Sequence, residues 1–197
     1  MLDSLDTTLE SLLKRELPPD VPSVDTEVFI SFDTPYQGAI KQKPAINFFL
    51  YDVRENLDLR SSAWSVERNG NGRAVKKRPP ARVDCSYLIT AWPKTEDDIQ
   101  TEHQLLGEVM KVLLRYRQVP EGFVADNLAE QEMPLRLISL RPSNLQSFGE
   151  FWQAMGGKDG TKPKVVLHCT VTISVPVDVV GEETGLVGVY IGEGNRE

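Results

Sequence analysis

Two histidines and two cysteines in 197 residues leave this chain little with which to build chemistry. His168 directly precedes Cys169. Adjacent strand residues point to opposite faces, so those two side chains would not grip one ion. A nucleophile pair between His103 and either Cys85 or Cys169 would need a reach that the sequence does not display. Both cysteines sit inside alternating apolar runs, where they read as reduced, buried thiols and not as a disulfide framework. No apolar run approaches the ~20 residues of a membrane-spanning helix. The first residues carry Asp3, Asp6 and Glu10 in place of a basic start and an apolar core. The expectation is therefore a chain without a secretory leader, assembled in the cytoplasm and holding no membrane contact. A net charge of −7 argues against a general nucleic-acid binder.

What is present is ordinary globular composition, 40% hydrophobic and 26% charged, so wholesale disorder is excluded. A chain of this length buries a sizeable core without disulfide or metal staples. Residues 1–178 read as one domain and 179–197 as a C-terminal tail or arm.

Along the chain, Leu2, Leu5, Leu9, Leu12 or Leu13, and Leu17 recur at helical spacing, with Asp3 or Ser4 available as cap. Pro18 and Pro19 stop that helix. The leucine face reads as core or subunit interface, with a partner-docking face as the alternative. Residues 27–32 alternate as a strand. Residues 45–53 are apolar on both alternating faces: Ile46, Phe48 and Leu50 on one, Phe49, Tyr51 and Val53 on the other. Such a strand is covered on both sides and is expected at the centre of the sheet. Charges arrive abruptly at Asp52, Arg54, Glu55, Asp58 and Arg60, where the chain leaves the core. A hairpin follows, with residues 61–68 and 73–78 flanking an Asn-Gly-Asn-Gly turn. Residues 82–92 predict a half-buried strand. Thr95 and Asp98 form a capping-box signature for the longest helix, which runs to about Arg117. Residues 134–141 predict a short strand. Ser147 and Glu150 predict a second capping box and a short helix ending at Gly156 and Gly157. Residues 165–177 alternate so cleanly that a strand of roughly 45 Å is expected.

Three motifs dissolve on inspection. Residues 156–162, GGKDGTK, resemble a phosphate cradle, yet they follow a helix and precede a strand, the reverse of a P-loop. Asp97-Asp98 and Glu182-Glu183 are carboxylate pairs that solvation explains. The basic hairpin is the largest electrostatic feature: between residues 60 and 82, seven Lys/Arg face one acid, Glu67, a net +6 that leaves −13 for the rest. With Trp64 the only aromatic nearby, a protein partner suits it better than nucleic acid.

Several of these stretches together resemble the tail-terminator or cap proteins of contractile injection systems, the phage-tail-like particles typified by the antifeeding prophage. They are residues 44–60 (PAINFFLYDVRENLDLR), Arg78-Pro79-Pro80 through residues 87–92 (YLITAW), and residues 102–107 (EHQLLG). Glu150-Phe151-Trp152 and Lys162-Pro163 add to them. The resemblance implies a structural protein that caps inner tube and sheath as a ring, expected to be hexameric, in a particle that can be released from the cell. Its partners would be further copies of itself, the sheath protein and the inner-tube protein. It brings no catalytic residue, metal or cofactor. Extended segments are the candidate contacts: Leu186, Val187, Val189, Tyr190 and Ile191 in the tail, and Arg73, Lys76 and Lys77 in the hairpin. A small-molecule enzyme or binding domain is the rival, its hints being His103, His168 and the cysteines. The fold class expected is α+β: a mixed, mainly antiparallel β-sheet with a long and a short helix packed on it, plus N-terminal helix, basic hairpin and C-terminal tail.

Overall fold

The computed structural model describes residues 1–19, 27–36, 38–68, 74–131, 133–140, 148–156 and 162–177. At 67–68, 74–77, 126, 148 and 155–156 it describes backbone alone.

Leucines spaced three and four apart make helix α1 (Leu2–Glu16) amphipathic, and Leu5, Leu9, Leu12 and Leu13 are fully buried. The face is therefore core. Met1 is the N-cap and no side chain caps the helix, so neither Asp3 nor Ser4 serves the role expected of it. Asp3 instead sits in the first turn against the terminal amine, which holds its carboxyl below the usual range. Leu17, forced out of the helical region by Pro18, ends the helix in extended conformation.

Strand β1 (Phe29–Ser31) runs parallel to β2 (Ala45–Glu55), and β2 runs antiparallel to β5 (Ala81–Trp92). Between β2 and β5 lies a separate two-stranded ribbon, β3 (Ser65–Arg68) and β4 (Ala74–Lys77). The long helix α2 (Ile99–Arg115) follows β5, then a 3-10 turn at Glu121–Phe123 and a one-turn helix α3 (Asp126–Ala129). Strand β6 (Arg136–Ser139), helix α4 (Phe148–Gly156), strand β7 (Leu167–Val175) and a 3-10 turn at Leu57–Leu59, just after β2, complete the described elements. The main sheet has the order β1-β2-β5-β7-β6, mixed but mostly antiparallel, which bears out the α+β reading.

Several bounds differ from expectation. β7 has nine residues, so it is shorter than the alternation of residues 165–177 suggested; Pro176 ends it directly. The cap of α2 is Asp98, whose Oδ1 accepts from Thr101 N–H at 3.1 Å; Thr95 lies one turn earlier. Ser147 lies outside the described residues. β5, with β2 on one side and β7 on the other, is the central strand, and β2 is not. β2 carries more apolar bulk, but β1 pairs with only its first three residues.

One face of the sheet is closed by α1 and α2. Ile46, Phe48, Cys85, Tyr87, Ile89, Cys169, Val171 and Ile173 meet the leucines of α1 and Leu105, Val109 and Leu113 of α2. Each fully buried leucine contributes about 1.5–3 kcal/mol before ordering costs. Among the described residues a helix covers the other face at one end only. There Phe151 of α4 packs on Phe49 with ring centroids 6.4 Å apart, and Trp152 is buried. Leu88, Thr90 and Trp92 are also buried, so this half of β5 is covered on both sides and is more than the half-buried strand expected. At the opposite end, the same face is polar: Asp52, Asp84, Ser86 and Thr170 line it.

Candidate functional site

The groups best suited to chemistry are kept apart. Burial pushes the Cys85 thiol up to about 11 and the Cys169 thiol up to about 12, so neither is a thiolate at neutral pH. Both thiols are free. His168 projects from β7 on the face opposite its neighbour Cys169, edge-on to Tyr51 at 6.1 Å, and burial lowers its basicity. His103 is exposed on α2. Of the expected carboxylate pair, Asp98 caps α2 and Asp97 accepts from Lys162 Nζ at 2.7 and 2.8 Å. Among the described residues no group of three or more His, Cys, Asp or Glu is arranged to hold a metal ion. No described helix is long and apolar enough to cross a membrane.

What the fold does present is backbone. A sheet has two edges, and here they are treated differently. On the β6 side the chain after α2 lies against the edge: Val119 N–H donates to Leu135 O and Leu137 N–H to Arg117 O, both at 2.9 Å. Farther along β7, Ser174 N–H donates to the Gln131 side chain at 2.7 Å. That edge is closed. On the β2 side, β1 pairs with Ala45, Ile46 and Asn47 and then departs. The pairing with β5 slips at a bulge between Leu50 and Asp52 and resumes from Asp52 to Glu55. Residues 52–55 thus have β5 along one side and, among the described residues, no strand along the other. Unpaired ladder groups of this kind are a template for another strand. Val53 lies 47% exposed there.

On the polar face of the sheet, reaching from β7 across β5 to this edge, is a cavity of about 300 Å³ whose charged lining is Asp52, Glu55, Asp58, Asp84 and Arg54, with Ser86 and Thr170 at its inner side. Four acids against one cation make it acidic. Asp84 is held in place, accepting from Thr172 Oγ1 at 2.6 Å and Asn56 Nδ2 at 2.9 Å. Arg54 pairs with Asp52 at 2.7 Å, and Glu55 with Arg60 at 3.1 Å.

The ribbon is the second extended surface. Among the described residues its strands pair only with each other, Ser65 opposite Lys77 and Arg68 opposite Ala74. Two strands alone are marginal in water. Val66 is 60% exposed on it and Trp64, under the Arg78 guanidinium at 5.8 Å, is 49% exposed. At its root a cavity of about 460 Å³ separates Arg78 and Pro80 from Gln131 and Met133 of the body.

Of the contact residues expected from sequence, Lys76 and Lys77 lie on β4, where backbone alone is described. Arg73, Leu186, Val187, Val189, Tyr190 and Ile191 lie outside the described residues. The open edge at residues 52–55 was missed as a site. Its signal was present in the abrupt charges from Asp52 onward, read only as the chain's exit from the core.

Residues 4–187 match the family described as the Pvc16 N-terminal domain. The chain belongs to the Pvc16 N-terminal domain family. Two solved structures extend this. A chain of an extracellular contractile injection system, the PVC sheath/tube terminator in extended state, is 24% identical with a TM-score of 0.69. It shares the fold. A chain of the anti-feeding prophage cap, titled AFP tube terminating cap, is 26% identical with a TM-score of 0.63. All of the present chain is covered in both comparisons, but it spans only 64% and 61% of those two chains. No curated protein matches. The tail-terminator family read from residues 44–60 and the stretches beyond is thus the family found.

Proposed function

We propose that this chain is a structural cap, a tail terminator that ends polymerisation of tube and sheath in a contractile injection particle. One observation carries the reading: a family match over residues 4–187 whose solved relatives are titled sheath/tube terminator and tube terminating cap. The fold supports it, because what this chain exposes is extended backbone, and buried thiols and separated imidazoles are poor material for a reaction centre. The cap acts by shape. It covers the strand edges and apolar interface of the last tube and sheath layer and offers the next subunit no copy of them.

The cap works as a ring of copies at the end distal to the baseplate, with six the expected number. It is assembled in the cytoplasm as part of the particle. Residues 1–178 form the ring body. The tail, through Leu186, Val187, Val189, Tyr190 and Ile191, is the segment that pairs with sheath strands. Adding purified chain to polymerising tube protein tests the proposal. Arrest at one cap ring per tube end, far below the tube-protein concentration, is the expected result. Elongation unaffected at equimolar chain would overturn it.

A further inference from the structure

The acidic open edge and the basic ribbon are complementary surfaces carried by the same chain. We propose that β4 of one copy adds as a strand to β2 of a second copy, at residues 52–55, so that the ribbon extends the neighbour's main sheet. The inference concerns contact between copies and stands whether or not the assembly ends a tube.

Length, chemistry and charge agree. The edge of β2 without a strand partner among the described residues runs from Phe48 to Glu55; its exposed part past the bulge, residues 52–55, matches the four residues of β4, each about 13 Å long. β4 has β3 along one side and, among the described residues, no strand along the other, so it brings a free edge to a free edge. A ribbon standing alone gains the third strand that two-stranded pairs lack for stability. Lys76 and Lys77 belong to the segment that carries the chain's net +6, whereas the acceptor edge borders a cavity lined by Asp52, Glu55, Asp58 and Asp84. The Asp52–Arg54 and Glu55–Arg60 pairs keep part of that charge occupied, but Asp58 is exposed and appears in no ion pair among the described residues. Val53 on the edge and Val66 on the ribbon supply exposed apolar surface on each side.

The test uses the full chain in two steps. First, a Val53→Cys chain is mixed with chains carrying Val75→Cys, Lys76→Cys or Lys77→Cys in turn, under mild oxidation; the native Cys85 and Cys169 are buried. A covalent dimer joining one chain of each kind is expected for at least one donor position. Second, sedimentation follows self-association of Lys76→Glu/Lys77→Glu, of Glu55→Lys/Asp58→Lys, and of the two combined in one chain. Each pair alone should weaken association about ten-fold at low salt and less at high salt, and the combination should restore it. All substituted positions are at the surface or on the ribbon, and circular dichroism checks that each variant folds. No mixed dimer at any donor position, or a combined variant no better than either parent, would overturn the proposal.

Discussion

Replacing Tyr87 with Phe removes one hydroxyl from a fully buried aromatic of the core and leaves the packing shape unchanged. Tyr87 lies in the centre of β5 at 0% exposure, and its hydroxyl donates to Asp6 Oδ1 of α1 at 2.8 Å. This bond fastens the N-terminal helix to the sheet. Burial raises the Asp6 carboxyl above its ordinary value; the Tyr87 hydrogen bond opposes that and the nearby Asp3 charge adds to it. A hydrogen bond to a charged group is worth about 1.5–3 kcal/mol, and one to a neutral group about 1 kcal/mol. Tyr87→Phe should therefore cost about 1.5–3 kcal/mol at about pH 7, above the carboxylate range, and about 1 kcal/mol at about pH 3, below the unfolded value. The sign follows from linkage. A carboxyl whose folded value is raised contributes stability that is fully present below its unfolded value and is lost as pH rises through the folded one. Without Tyr87 the folded value rises further and the loss steepens. Asp6→Asn should flatten the dependence. Urea unfolding followed by tryptophan fluorescence measures all three chains at both pH values. A cost below about 0.5 kcal/mol at pH 7, or an equal cost at both, would refute the reasoning.

Three further outcomes are expected. Cys85 and Cys169 should resist a thiol reagent at about pH 8 in the native chain and react at once in denaturant, since burial holds both thiols far above that pH; fast native labelling would contradict their placement. Gly107→Ala should stabilise the chain by about 1 kcal/mol, because Gly107 lies inside α2 and an added Cβ meets no atom within 4 Å; a lower melting temperature would show that the position is not open. Removing residues 179–197 should weaken co-purification with sheath protein and leave self-association intact; unchanged sheath binding would retire the tail as the sheath contact.

Much of the fold was legible because periodicity reports burial. The leucines of α1, the alternation of β5 and β7, and the apolar face of α2 each point to one core, and the structure brings them together. What periodicity does not carry is adjacency. Residues 45–49 are apolar on both faces because α1 and α2 cover one side and Phe151 of α4 the other, whereas Val53, expected to be covered as well, is exposed. Coverage of faces says nothing about coverage of edges, so β2 looked central, although among the described residues its far half has a strand on one side alone. Capping was misread for a related reason. Thr95 and Asp98 both suit an N-cap, and only the backbone conformation decides that Asp98 accepts the Thr101 N–H. The turn at Glu121–Phe123 and helix α3 were not foreseen. They lack a period of their own and are held by contacts from afar: Ala125 N–H donates to Thr8 at 3.0 Å, and Asn127 donates to Ser4. The candidate site was legible as charge and invisible as geometry, since net +6 over residues 60–82 can be counted, whereas an open edge exists only once the strands are paired.

The most direct test of the cap account is the length distribution of particles, read by electron microscopy, from cells that make tube, sheath and baseplate proteins with and without this chain. The account predicts a narrow distribution with it and over-long, ragged or unsheathed tubes without it. Particles of normal and uniform length in its absence would contradict the account.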